Sequence, residues 1–311
     1  MNYYFQAYIE KPERVDMYLS TLFPIYSRSF IQKIIDRWDL MVNGKVINKN
    51  LKIKNRDEIK IEIKNEKLVW VLPEEHKLDI IYEDDSLLIV NKDAGMNVHP
   101  VPWENWDKNT LVNAVLYHCG KKLPCISWVN RPWIVHRLDK DTSWIILIAK
   151  DDMMMSYLSW IIKDRKIEKE YIAIVAWILN EKEFKIESYI WRDSNDRLKM
   201  TTKNPINPKI AISYWEVMWY IWDEYTVIKM NIKTWRTHQI RVHLSSIWYP
   251  IIGDKVYGNK KVNNEVKEKY WLDRQALHAF ELKFDLYWKK VKFKAELKDD
   301  IKNILSSNLI V

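Results

Sequence analysis

The stretch HRLDKDTSWIILIAK, His136 to Lys150, sets the tightest constraint on what this chain can fold into. A polar cluster (His136, Arg137, Asp139, Lys140, Asp141, Thr142, Ser143) runs directly into Ile145, Ile146, Leu147 and Ile148. Asp, Thr and Ser are turn formers, whereas Ile145–Ala149 is β-branched and apolar, so residues 139–143 read as a tight connection into a buried strand. A small residue such as Gly is expected where a chain turns that sharply. Trp144 stands there instead. Asp139 has Arg137 and Lys140 beside it, opposite charges that would hold it ionised. A carboxylate kept charged at a strand end is a candidate nucleophile or base. Taken alone, a turn Asp bonded to its own backbone is the plainer reading, and Asp141 is read that way.

The chain has 311 residues, enough for a large core and two domains. No apolar run is long enough to span a membrane, and the opening MNYYFQAYIE does not read as a signal peptide. Cys119 and Cys125 cannot by themselves form a disulfide framework or a four-ligand zinc site, so a reduced, cytoplasmic setting with no metal is expected. The net charge of +8 favours a polyanionic partner, with nucleic acid first.

Residues 1–66 read as a separate small module. Val15, Tyr18, Leu19 and Leu22 recur at helical spacing, and Ile31, Ile34 and Ile35 mark a second helix. Asn43-Gly44 is a hairpin turn, and EIKIEI alternates as a half-buried strand. Arg28, Lys33 and Lys45 stud this module, which fits compact RNA binding. Residues 67–78 (KLVWVLPEEHKL) read as a linker. From 79 to 311 the pattern is strands mixed with a few helices. Hairpin-like neighbours, rather than regular βαβ alternation, predict an α+β domain with a mixed, largely antiparallel sheet.

The segment RPWIVHRLDKDTSWIILIAK closely resembles the signature of the RluA-type pseudouridine synthases, which isomerise uridine in large-subunit ribosomal RNA and some transfer RNAs. VNKDAGMNVHP (90–100), EKEYIAIV (168–175), WRDSNDRLKM (191–200), KTWRTHQIRVHLSSIWYPIIGDKVYG (233–258) and DRQALHA (273–279) match further blocks in family order. Residues 1–66 resemble the alpha-L RNA-binding domain that many members carry. One departure is Asp93, where the family block has Pro.

The resemblance implies a pseudouridine synthase fold and a cofactor-free isomerisation of an extruded uridine, comparable to base flipping elsewhere. It makes Asp139 the catalytic carboxylate. Tyr171 stacks against the target base and is placed to help remove its carbon 5 proton, and Arg241 orients and ionises Asp139. Arg137, two residues before the Asp, would intercalate or fill the space the base leaves. His136, Arg236, His238 and Gln239 complete the expected RNA-facing set, with Arg28, Lys33 and Lys45. His238 and His243 are five apart, a poor metal spacing, and His243 is read as structural or RNA-facing. The expected partner is RNA, with no membrane and no small-molecule cofactor, and the expected state is a monomer.

Three alternatives differ in class. A transfer-RNA synthase would look the same at this level. A binding-only protein of this fold need not keep Asp139, Tyr171 and Arg241 together. A metal-dependent nuclease would need convergent acidic or His ligands, whereas the Asp and Glu residues here lie scattered among lysines.

The chain holds 5 Gly and 17 Trp. Average usage of about 7% would give roughly 22 glycines, so glycine is short by about the number of tryptophans. Trp144 falls on a glycine of the family signature, and so do Trp133, Trp191, Trp235 and Trp248, with Trp128 and Trp177 beside them. Trp106 and Trp160 read as genuine. The economical explanation is a gene whose UGA codons encode glycine, read here with a table that assigns UGA to tryptophan. Such a chain should show strained or crowded indoles, above all around Asp139. Activity in EDTA separates the reaction classes, since a synthase should be indifferent to chelation and a nuclease dead.

Overall fold

The computed structural model describes residues 2–23, 28–63, 71–99, 108–120, 134–135, 139–194, 196, 199–203 and 208–306. His136, Arg137, Trp106, Trp128 and Trp133 lie outside them. The described residues divide into two compact units, one up to residue 63 and one from residue 71.

The first unit is an antiparallel sheet with two helices. Strands β1 (Asn2–Gln6), β3 (Leu40–Val42), β4 (Lys45–Val46) and β6 (Glu58–Glu62) pair in the order β1-β6-β3-β4, while β2 (Glu13–Arg14) pairs with β5 (Lys52–Ile53). The strict alternation of β6 puts Ile59 and Ile61 on the buried face with Leu19 and Ile31, which come from α1 (Val15–Leu22) and α2 (Arg28–Asp36). Asp16 is buried in α1 and ties the helices together. It accepts from Arg14 (3.0 Å), Arg28 (2.9 Å) and Gln32 (2.6 Å). Arg28, expected at RNA, therefore commits its Nε to an intramodule ion pair, while Lys33 and Lys45 are exposed.

The second unit is α+β. Its strands are β7 (Ile80–Glu83), β8 (Leu87–Lys92), β9 (Ser143–Ala149), β10 (Glu168–Ala176), β11 (Glu183–Arg192), β12 (Met200–Thr201), β13 (Lys209–Ile221), β14 (Tyr225–Ile232), β15 (Leu277–Leu286) and β16 (Lys289–Lys294). They form one sheet in the order β12-β11-β13-β14-β10-β15-β9-β8-β7, with β16 sharing the β9 edge of β15. Every named pairing is antiparallel except β9 with β15, where Ser143 pairs with His278 and Trp144 with Ala279. Its helices are α3 (Leu111–Cys119), α4 (Asp152–Lys163), α5 (Gln239–Ser246), α6 (Lys260–Tyr270) and α7 (Asp299–Ser306). Thr110 caps α3 in a reciprocal box with Asn113. Every residue of β9 is buried, as its unbroken apolar run requires. Ile134 makes an antiparallel bridge to Ile148 of β9. Residues 71–79 have no regular structure but are tied to α3, where Asn113 donates to the Leu72 carbonyl (2.7 Å).

Tryptophan sits where glycine belongs. Of the twelve described tryptophans, Trp38, Trp177, Trp222, Trp248, Trp271 and Trp288 have φ between 50° and 70°. All six side chains are exposed. The β3–β4 hairpin turns on Asn43-Gly44 with φ of 51° and 72°, and β15–β16 turns on Tyr287-Trp288 with φ of 48° and 67°. Both are two-residue turns of the kind that calls for Asn-Gly. Trp38 and Trp248 follow helices at the left-handed closing position, with the next amide bonded back five residues (Asp39 to Ile34, 3.1 Å; Tyr249 to Leu244, 3.0 Å), where helices place glycine. Left-handed backbone costs an L-residue about 1–2 kcal/mol, so six together approach the whole net stability of a domain, about 5–15 kcal/mol. The glycine expectation at Trp177 and Trp248 thus gains a conformational reason, and Trp38, Trp222, Trp271 and Trp288 join the set. UGA is expected at those codons and at 144, 191 and 235, with a native mass lower by one indole-for-hydrogen exchange per site. UGG there, or a mass matching 17 tryptophans, would end the idea.

Candidate active site

Asp139 opens the turn that feeds β9. Its carbonyl accepts from Thr142 N (3.2 Å), which closes the turn, and its carboxylate faces α5. Two segments, around Gly95 and at Arg274-Gln275, pin the loop. Gly95 N donates to the Lys140 carbonyl (3.0 Å), Arg274 to the Asp141 carbonyl (3.3 Å) and Gln275 to the Thr142 hydroxyl (3.0 Å). Ser143 Oγ meets His278 Nδ1 at 2.8 Å, while the other ring nitrogen of His278 faces the Ala295 carbonyl at 3.2 Å. Burial pushes the His278 pKa down to about 4, so a neutral ring fits this donor-and-acceptor role.

Lys92 holds the same loop through its ammonium, which donates to the carbonyls of Asp93, Met96 (2.9 Å) and Lys140 (3.2 Å). It is 2% exposed, and burial pushes its pKa down to about 8. Asp93, the departure from the family block, pairs with Lys298 (2.7 Å).

Arg241 joins two carboxylates. Its Nη1 donates to Asp139 Oδ2 (2.7 Å), and its Nε and Nη2 grip Asp254 (2.7 and 2.8 Å). Asp254 is fully buried and also accepts from the amides of Val256 (2.9 Å) and Tyr257 (3.0 Å). Glycines make this loop possible. A Cβ at Gly253 would lie 2.1 Å from the Arg274 carbonyl oxygen, and one at Gly258 would lie 2.3 Å from that of Asp254.

His238 reaches Asp139 from the other side, with Nε2 3.3 Å from Oδ1. Hydrogen-bond accounting sets its tautomer. The Asp139 carboxylate can only accept, so Nε2 carries a proton toward it, and in the neutral ring Nδ1 accepts from the Tyr257 hydroxyl (2.7 Å), which itself accepts from Met200 N (2.7 Å). Burial alone would raise the Asp139 pKa, but His238 and Arg241 outweigh it and hold the carboxyl below its ordinary value. Tyr171 is buried on β10. Desolvation, and then the Asp139 charge, hold its phenol well above the ordinary tyrosine pKa.

The sequence-predicted residues therefore separate. Asp139, Tyr171 and Arg241 come together. His238, expected at RNA, is aimed at Asp139 instead. Gln239 is corrected outright, because it is 3% exposed and its amide is saturated. Its oxygen accepts from Thr234 (2.8 Å) and Arg236 N (3.1 Å), and its nitrogen donates to the Ile212 carbonyl (3.0 Å) and Ser213 Oγ (2.9 Å). Arg236 donates its Nε to the Ile210 carbonyl (3.1 Å). His243 is buried between Ser188 and Ser213, its pKa pushed down to about 4 by burial, and is structural. Asp254, Tyr257 and Lys92 were given no role from the sequence, although each lies inside a block that carried the resemblance.

Residues 86–246 match the RNA pseudouridylate synthase family model. The chain belongs to that family. It is 38% identical to the ribosomal large subunit pseudouridine synthase D of Neisseria meningitidis, over 94% of this chain and 78% of that one. It is 35% identical to an uncharacterized RNA pseudouridine synthase of Bacillus subtilis, over 96% and 95% of the two chains. Among solved structures, human RNA pseudouridylate synthase domain containing 1 superposes with a TM-score of 0.57 at 21% identity, over 76% of this chain and 96% of that one, and so shares the fold. This pseudouridine synthase thus carries its buried ion triad inside and beside the matched region.

Removing Asp254 leaves a buried guanidinium with one partner fewer. Asp254→Ala should cost about 3–5 kcal/mol in denaturant unfolding. The Asp139 contribution to stability has the sign of a depressed carboxylate. It is present above about pH 4 and lost as pH falls through the lower folded-state value, so the difference between parent and Asp139→Asn should shrink on acidification. A constant difference from pH 7 to pH 3 would contradict the paired carboxylate.

Proposed function

We propose that this RNA pseudouridine synthase modifies uridines of large-subunit ribosomal RNA in the cytoplasm, as a monomer, with Asp139 as the catalytic carboxylate. The observation that carries the reading is the geometry of Asp139, a carboxylate held ionised by Arg241 and His238 just before β9, with the Tyr171 phenol close enough to feel its charge. The ribosomal target is supported by relatives named for the large subunit, in Neisseria meningitidis and Zymomonas mobilis, and by the basic residues of the first unit.

The reaction is an isomerisation, so atoms and electrons balance without a cofactor. The target uridine leaves its stack and enters the pocket. Asp139 promotes cleavage of the bond between C1′ and N1, and the freed uracil turns and rejoins the ribose through C5. Arg241 and His238 keep the carboxylate charged and aimed. Tyr171 supplies a stacking face. It is also placed to help remove the C5 proton, its phenol held well above the ordinary tyrosine pKa by burial and then by the Asp139 charge.

Asp139→Asn keeps the side-chain shape and removes the charge paired with Arg241. It should abolish pseudouridine formation while RNA affinity stays within about threefold, less than 1 kcal/mol. Substantial product from that variant would sink the assignment. Mapping pseudouridines in cells with and without the gene identifies the target, and sites only in transfer RNA would replace the ribosomal reading. Deleting residues 1–66 should flatten the salt dependence of RNA binding, by roughly 0.7–0.9 in log–log slope for each phosphate that the module grips.

A further inference from the structure

Lys169 is a buried charge that the Asp139 network does not use. It lies on β10 two residues before Tyr171 and is 6% exposed. Its hydrogen bond among the described residues is to the Ile167 carbonyl at 3.4 Å, beyond the normal range. Its other neighbour is the face of Trp235, whose centroid is 4.2 Å from Nζ. Lys92 is equally buried but has three carbonyls around its ammonium. An ammonium stripped of water and left with so little in return is costly unless a ligand supplies the missing acceptor.

A run of rings joins Lys169 to the active site. Trp235 stacks on Trp144 with centroids 5.6 Å apart and planes 18° apart, and Trp144 meets Tyr171 edge-on at 4.9 Å. Strand register explains the meeting. Tyr171 of β10 and Trp144 of β9 both pair with Ala279 of β15, from its two edges, so the three side chains share one face. The methyl of Ala279 leaves a trough between its larger neighbours. Trp144, 1% exposed, fills it beside the Tyr171 ring. Both indoles fall on glycine positions of the family signature.

We propose that Lys169 is a further catalytic residue, donating to a carbonyl oxygen of the target uracil once the space held by Trp144 and Trp235 is open. The proposal deepens the synthase reading and rests on it. When the bond between C1′ and N1 breaks, its electron pair stays on the uracil and spreads onto the oxygens at C2 and C4. The ammonium meets that charge. As C5 bonds to C1′ the pair enters the new bond, and the proton lost from C5 to water is matched by one that N1 takes up from water, so no outside reactant is needed. With that space open the ammonium is a charge-assisted donor to the uracil anion, a contact stronger than a neutral hydrogen bond.

The test uses the full-length chain with glycine at both positions (Trp144→Gly with Trp235→Gly), with and without Lys169→Met or Lys169→Arg. The first readout is binding of 5-nitrouracil, a uracil that is an anion at neutral pH. The glycine form should bind it, Lys169→Met should weaken binding about 10- to 100-fold, and Lys169→Arg should recover part of the loss. The second is single-turnover pseudouridine formation in RNA, which should fall about 100-fold or more in Lys169→Met with RNA affinity unchanged. No 5-nitrouracil binding by the glycine form, or equal binding and rate in Lys169→Met, overturns the proposal. Lys169-dependent binding in a glycine form that makes no pseudouridine would sustain the contact and instead overturn the synthase reading on which its catalytic role rests.

Discussion

The buried guanidinium of Arg241, held between Asp139 and Asp254, is the interaction on which the rest of the site depends. A lone charge at that depth would be expelled or neutralised, and two carboxylates facing each other without it would share a proton. With the cation between them, attraction outweighs burial for Asp139, which is held charged and aimed by the Arg241 fork. Such a triad contributes little net stability. Its worth lies in holding a carboxylate ready at one end of a sheet.

That geometry needs a stiff frame, and the parallel contact of β9 with β15 supplies it. The contact brings His278 and Gln275 against the start of β9, while Lys92 gathers the carbonyls of the neighbouring loop. The first unit uses the same device on a smaller scale. Asp16, buried among Arg14, Arg28 and Gln32, has its carboxyl held far below the usual range, although burial opposes it, and it locks two short helices that could not persist alone.

The tryptophans break the agreement between local preference and global fold that foldable sequences keep. The six left-handed ones all project into solvent, where an indole fits sterically but gains nothing, so the backbone strain has no compensation. Trp144 and Trp235 are the converse. They are packed, and they occupy the space beside Tyr171. The two classes correspond to the two reasons glycine is used, permissive φ and close approach.

The sequence by itself determined the α+β class and much of the pattern of helices and strands, and its family-like blocks pointed to Asp139, Tyr171 and Arg241 as one set. Period and turn chemistry are local, and the motif around Asp139 is contiguous. EIKIEI alternates because one face is buried, and the run after Trp144 is unbroken because both are. Tertiary structure alone decided which groups meet. Asp139 and Arg241 lie 102 residues apart, and Ser143 and His278 lie 135 apart, so no periodicity relates them. Gln239 shows the limit from the other side. Beside His238 in a basic, RNA-like motif it reads as a surface donor, yet α5 begins at that residue and turns its amide inward to four acceptors and donors of the fold. Burial belongs to packing, and packing is the property a lone segment cannot carry.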